Sequence, residues 1–583
     1  MPRLDQIPDE IIHHILTFVS PEDNLLRVQL LSRRLNALAN EPLLWRQHCR
    51  TSFAHWDPSH DLPGKLGAPV SDVDWKALFL LRKARNVHVA NLFDSILATK
   101  FGRMEKFEQI CRLGYDARDF LLEQCHTIDS ADDVLARRYH SKAILASLRR
   151  GLAIEVWRGL RNGPTVAARH GLPAQYPPRT LERALGALDM FVIDSHEGDL
   201  DHITRLLDDL TVQFSECHAN LEDMSIRDKA LALNRWLRAR KLTGLENPET
   251  EYRNLRNCFI GHALRDPEHP SLPLTSAAIF CCIAERLGLN AQCLPVPGHV
   301  HAVVFATRES TLDGAEVRDP NQPVEQMYLD PFSSDDEVTK EAVLGVVFGV
   351  GWQASLDSLL TPASPATLVL RMAANMRVSL TSTRRRMVSI NDITAGLPCR
   401  SDAENLQLAM YGAAWAKLSL ARDASEMSES GRELAYWFTA YQSEDIWLVD
   451  THASAICRDI HGRDAWDMRR LMPEKDDRPP PPCMRTPDIV FRVGQVVRHI
   501  RFGTIAAVIG WSHLGSDRVY YTCIKAEGPG ALIARAESLE LVTDLDAEPV
   551  TSTWFERAGL YFKRFDRSTC SFVSNIREEY PDD

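Results

Sequence analysis

The sequence predicts a multidomain, mainly α protein: N-terminal helices, an α+β core in the middle, further helices, and a small C-terminal β-barrel. Three observations lead there. Apolar residues recur at helical spacing through most of the chain, one central block instead joins a helix to β-branched runs, and a proline run at 479–482 precedes short β-rich segments broken by glycine. At 583 residues the chain has room for three or four domains. A hydrophobic fraction of 45% with 25% charged residues is ordinary globular composition. The net charge of −12 argues against general nucleic-acid binding, which needs basic surface to displace counterions. The thirteen cysteines are scattered with no C-x-x-C pair, which points to free thiols in a reducing compartment. No apolar run approaches the roughly 20 residues a membrane span requires. A cytosolic or nuclear protein with protein partners, no membrane contact and no cofactor is expected.

Residues 1–50 form the first element. Ile7, Ile11, Ile15 and Val19 recur every fourth position, with Ile12 and Leu16 beside them, so a helix there carries a broad apolar stripe. Pro8 suits its first turn, where a missing N–H costs nothing. Ser20-Pro21-Glu22-Asp23 restarts the chain with a cap, a proline at the first helical position and an acidic first turn. Leu25, Leu26, Val28, Leu31, Leu35 and Leu38 supply the next apolar face, and Leu43-Leu44-Trp45 closes the segment. So short a segment cannot use this many apolar side chains in its own core, so some are expected to face a partner. Leu4, the Ile7-Pro8-Asp9-Glu10 entry, Ile12, Ile15-Leu16, Leu31-Ser32-Arg33-Arg34 and Leu44-Trp45-Arg46 resemble an F-box. The resemblance implies docking on a Skp-type adaptor of a cullin ubiquitin ligase. The adaptor-binding residues would be Leu4, Ile7, Pro8, Ile11, Ile12, Ile15, Leu16, Leu31, Leu44 and Trp45.

Residues 51–71, rich in Pro, Gly and Asp, read as a linker. From 72 to 245 the spacing is helical, as in Trp75, Leu78, Phe79 and in Leu181, Leu185, Leu188. His196, Glu197 and Asp199 lack metal-ligand spacing and read as a solvated acidic loop, and no metal site is expected.

Residues 246–355 change character. Thr275 to Leu287 reads as a helix with a buried face, and Cys293–Pro297 and His301–Ala306 read as strands. Asn257, Pro273-Leu274-Thr275-Ser276, Ala284-x-Arg286-Leu287-Gly288-Leu289, Pro297-Gly298-His299 and Leu329-Asp330-Pro331-Phe332 resemble the SirB-type transglutaminase-like family. Enzymes of that kind use a Cys at a helix N-terminus, a His that takes its proton and an Asp that orients the His. His299 and Asp330 stand in the matching motifs, while the thiol position holds Leu274-Thr275-Ser276. An alcohol ionises many pK units above a thiol. Cys281 and Cys282 lie about two turns on, roughly 8–10 Å along the helix, and read as small hydrophobes. The domain is expected to be a non-catalytic fold retaining His299 and Asp330 as a vestigial pair. The rival expectation is a thiol-dependent hydrolase or transferase.

Residues 365–471 return to helical spacing, with Leu368, Met372, Met376, then Leu406, Met410, Trp415, Leu418. The segment 472–487 reads as a stiff Pro-rich linker. Beyond it, 488–583 carries β-rich runs with Gly494, Gly503 and Gly510 at turns or bulges. Val493-Gly494-Gln495-Val496-Val497-Arg498-His499, Phe502-Gly503, Val508-Ile509-Gly510-Trp511, Tyr521, Glu537-Ser538-Leu539-Glu540 and Tyr561-Phe562 resemble YccV-like (HspQ-type, hemimethylated-DNA-binding) domains. Yet this segment holds 11 Lys/Arg against 14 Asp/Glu, so a protein-binding groove around Arg498, His499, Trp511 and Tyr521 is expected rather than a DNA face. Together the three resemblances imply a substrate receptor of an SCF-type ubiquitin ligase.

Overall fold

The computed structural model describes residues 7–161, 176–192, 198–218, 220–319, 322–349, 360–385, 387–397, 402–441, 443–461, 481–513, 518–527, 530–545 and 552–583. Leu4, His196, Glu197 and Arg478-Pro479-Pro480 lie outside the described residues. Two compact units divide the chain, one from residues 1–148 and 475–583 and the other from 149–474. The helical region expected at 72–245 is thus split at Leu148, and the C-terminal β region shares a unit with the N-terminal helices.

In the first unit, helices Asp9–Leu16, Arg33–Ala39 and Pro42–Thr51 follow the apolar spacing. Ser20 Oγ accepts from Asp23 N at 3.0 Å and Ser32 Oγ from Leu35 N at 3.1 Å, each cap stabilising its helix start by about 1 kcal/mol. Ile12, Leu16, Leu35, Leu38, Ala39 and Leu44 form one small core. A second core joins Trp45, Cys49 and Phe53 to Trp75, Leu78 and Phe79, with the Trp45 indole N–H donating to Ala39 O at 2.8 Å.

That second core corrects the linker expected at 51–71. Trp56, Leu62, Leu66 and Val70 all pack on it, and His60 is buried 2.8 Å from Asp116. The prolines, glycines and aspartates here are caps and turns of short helices. Asp57 Oδ1 accepts from Ser59 N and Asp61 Oδ1 from Gly64 N.

The second unit is built on the helix Pro273–Arg286, whose residues 273–284 are all buried. It packs on a four-stranded antiparallel meander: β1 (Asn290–Leu294), β2 (His301–Phe305), β3 (Gln326–Leu329) and β4 (Glu337–Val338), in that order. Cys293 pairs with Ala302 and Ala302 with Leu329. Helices Thr180–Asp189 and Leu200–Cys217 cover the Pro273–Arg286 helix, and Pro365–Arg384, Asp402–Ser419 and Ala424–Tyr441 extend the same helical layer. The buried faces are the expected ones: Leu368, Met372 and Met376, then Met410, Trp415 and Leu418. Asp199, expected in a solvated loop, is buried as the N-cap of Leu200–Cys217, accepting from His202 N at 3.0 Å.

The C-terminal part of the first unit is a five-stranded antiparallel sheet of β5 (Val496–His499), β6 (Ile505–His513), β7 (Val519–Lys525), β8 (Ala531–Arg535) and β9 (Leu539–Leu541), ordered β8-β7-β6-β5-β9. A hairpin of β10 (Phe562–Asp566) and β11 (Ser571–Ser574) bridges to it through Gln495 and Ser571. Among the described residues no ladder joins β8 to β9, so the expected small barrel is present as an open sheet and a hairpin. Gly494 has φ +94°, and a Cβ there would stand 2.1 Å from the Phe572 carbonyl oxygen, so only glycine fits. Residues 483–487 are not a spacer: Cys483 N donates to Glu579 O at 2.7 Å and Arg485 pairs with Asp583 at 3.2 Å. Among the described residues no helix is long and apolar enough to cross a membrane.

Candidate functional site

The Asp9–Leu16 helix carries two apolar stripes of i, i+4 spacing. Ile12 and Leu16 point inward, at 4% and 3% exposure, while Ile11 and Ile15 point outward, at 51% and 48%. Phe18 continues the outward set one turn on, and Leu26, Leu30, Leu31 and Leu43 are also exposed. Folding leaves these seven large apolar side chains uncovered within residues 11–43. The core beneath them is closed. Asn24 is buried and donates to Leu16 O at 3.2 Å, and its amide lies 3.1 Å from His48 Nε2. Burial pushes the His48 pKa down, against the pull of Glu22, so the ring is neutral and free to accept that bond.

This arrangement corrects part of the expected adaptor-binding set. Ile12, Leu16, Leu44 and Trp45 are interior residues and present nothing to a partner. Ile7 is half-buried against the core and Pro8 is the exposed residue that precedes the first helix. Ile11, Ile15 and Leu31 keep the expected outward position. Phe18, Leu26, Leu30 and Leu43 were missed, although Phe18 extends the Ile11–Ile15 stripe at i+7 and Leu26–Leu30 repeat its spacing.

A second constellation lies in the middle unit. Gly298, at φ +85°, turns the chain so that His299 precedes β2, which begins at His301, and Asp330 directly follows β3. His299 Nε2 stands 3.0 Å from Asp330 Oδ2, and the two imidazole rings are 4.7 Å apart. Asp330 Oδ1 accepts from Phe332 N at 3.1 Å and Ser333 N at 3.3 Å, and the Ser333 hydroxyl donates to Oδ2. Burial opposes ionisation of Asp330, but the contact and charge of His299 and the Ser333 hydroxyl outweigh it and bring the carboxyl to about 2. Burial, with the neighbouring His299 charge, pushes His301 down to about 4.

No nucleophile stands ready at the start of the Pro273–Arg286 helix. Thr275 is buried and donates to Asn257 O at 2.9 Å, while Ser276 Oγ lies 2.8 Å from Ser271 Oγ and accepts from Gly244 N. Burial raises Cys281 and Cys282 well above the usual thiol range and pushes Cys258 up to about 12.

In the C-terminal sheet, Trp511 and Tyr521 are direct cross-strand partners on the inner face. Tyr521 is fully buried and its hydroxyl accepts from Val490 N at 2.7 Å and Phe491 N at 3.3 Å. The Trp511 ring meets Tyr580 edge-on at 4.5 Å. Neither lines a groove, because period-2 alternation aims both at the core. Arg498 pairs with Glu540 across β5 and β9 at 2.8 Å, and His499 is half-buried beside Phe502.

Comparison with known families agrees with two of the three resemblances. Residues 4–51 match the F-box-like model, and residues 201–374 match the transglutaminase-like superfamily. The chain carries both modules. The matches leave the C-terminal sheet unassigned, and no curated protein and no solved structure matches the chain.

Proposed function

We propose that this chain is a substrate-receptor subunit of an SCF-type cullin ubiquitin ligase. The observation that carries the reading is the uncovered apolar set of the F-box-like module, whose own core is filled without it. Ile11, Ile15, Phe18, Leu26, Leu30, Leu31 and Leu43 would meet a Skp-type adaptor, while the middle unit and the C-terminal sheet hold a target protein near the ubiquitin-loaded enzyme. Catalysis would then be a matter of proximity and effective concentration, with no bond-making residue in this chain. The net charge of −12 suits protein partners better than DNA.

A thiol-dependent transglutaminase-like activity is the second reading, favoured by the retained His299–Asp330 contact. Against it stand the committed hydroxyls of Thr275 and Ser276 and the buried, raised thiols of Cys281 and Cys282. Two measurements separate the readings. Full-length protein mixed with a purified Skp-type adaptor should co-elute in gel filtration, and Ile11→Asp with Ile15→Asp should abolish co-elution without unfolding the chain. Stoichiometric labelling of one cysteine by a thiol-reactive activity probe, lost in His299→Ala, would instead establish the enzyme.

A further inference from the structure

The His299–Asp330 contact is close but poorly formed as a hydrogen bond. His299 Nε2 is buried and makes no hydrogen bond of acceptable direction, although Asp330 Oδ2 lies 3.0 Å away. His301, 4% exposed, also has a buried ring nitrogen, Nδ1, without a partner. Leaving a buried imidazole nitrogen unpaired is destabilising, and two of them beside one carboxylate need an explanation. Such a gathering of lone pairs is what a metal ion organises.

We propose that His299, His301 and Asp330 form a binding site for a first-row divalent transition-metal ion of the zinc class. One donor atom from each residue lies within 4.8 Å of the other two. Ligands about 2.0–2.1 Å from a tetrahedral zinc stand roughly 3.3 Å apart, a spacing little shorter than the 4.8 Å within which these three donors already lie. Two imidazoles with one carboxylate are borderline donors that suit such an ion, not Ca2+ or Mg2+, which take all-oxygen shells. The carboxylate is already oriented from outside by the N–H groups of Phe332 and Ser333 and by the Ser333 hydroxyl, the kind of support that metal-bound carboxylates have. With three protein donors, the fourth position is left for water or an exogenous ligand. His299 and Asp330 hold this role whether or not the F-box-like module docks an adaptor.

Tag-free full-length protein, stripped with a chelator and titrated with Zn2+ in a calorimeter, should bind one equivalent. His301→Ala should weaken that binding by more than the roughly 100-fold that loss of an outer-shell partner costs. Where His301→Ala does not fold, His299→Ala at its partly exposed position carries the same test. His218→Ala, outside the cluster, should bind as the parent does. The Co2+-loaded protein should show visible d–d bands without a thiolate charge-transfer band. Absence of stoichiometric Zn2+ binding, unchanged affinity in His299→Ala and Asp330→Asn, or a thiolate band would each overturn the site.

Discussion

Replacing Ile11 and Ile15 together by alanine separates the outward stripe of the first helix from the inward one. Both side chains are about half exposed in the folded chain, at 51% and 48%, so each has about half of its burial still to gain on a partner. Full burial of an isoleucine stabilises by roughly 1.5–3 kcal/mol, which leaves about 1 kcal/mol per residue for the interface. The pair should therefore cost about 2 kcal/mol of adaptor binding, roughly a 30-fold rise in Kd. Folding should hardly change, because neither belongs to the core of Ile12, Leu16, Leu35, Leu38, Ala39 and Leu44. Leu16→Ala is the converse: at 3% exposure it should lose about 2–5 kcal/mol of stability, while the fraction still folded binds normally. Calorimetric titration with the adaptor, run beside urea unfolding of each variant, reads both effects. A folded Ile11→Ala/Ile15→Ala chain that binds as tightly as the parent would refute the reasoning.

Three more perturbations probe the architecture. Tyr521→Phe removes the acceptor shared by Val490 N and Phe491 N and should cost about 1–3 kcal/mol in denaturant unfolding, whereas a groove-lining tyrosine would lose almost nothing. Asp445→Ala removes the carboxylate 2.6 Å from the buried Arg150 guanidinium and should destabilise by about 3–5 kcal/mol; a change under about 1 kcal/mol would show the pair to be dispensable. His452 is held down to about 4 by burial and then by Arg158, against an ordinary value of 6.5. Because the folded state keeps this ring neutral while the unfolded chain takes a proton, its contribution is complete above 6.5 and is lost as pH falls toward 4. At pH 5 the loss is about 2 kcal/mol, so His452→Gln should unfold with a pH 7 to pH 5 drop smaller by that amount, and an equal drop would contradict it.

Much of this was legible in the sequence because local rules sufficed. Ser20-Pro21, the β-branched run at 301–306 and the glycines at 494 and 510 form the cap, strand, turn and bulge expected of them, although the strand is buried on both faces; Gly510 sits at a bulge against the Tyr580 hydroxyl. Other features depend on what packs where. Spacing by four placed both Ile11–Ile15 and Ile12–Leu16 on apolar stripes, and composition could not say which one the chain would cover itself. The 51–71 segment has a linker's composition, but Trp56, Leu62 and Leu66 find a core supplied by Trp45 and Trp75. Trp554, fully buried in the helix Ser552–Ala558, lies in a run whose helical form nothing local announced. His299 and Asp330 pair from their motifs, but His301 reads only as the start of a strand, and it is the β2–β3 register that brings it beside Asp330.

The first unit is assembled from residues 1–148 and 475–583. Val134 and Leu135 belong to the same core as Val496, Trp554 and Phe572, and Lys142 pairs with Glu556 at 3.0 Å. On the ribosome, the N-terminal segment must therefore wait through synthesis of the whole middle unit before its missing complement emerges. During that interval a nascent chain displays Val134, Leu135 and their neighbours to the solvent, a surface that invites chaperone capture. A message cut short before codon 475 would leave that surface permanently bare.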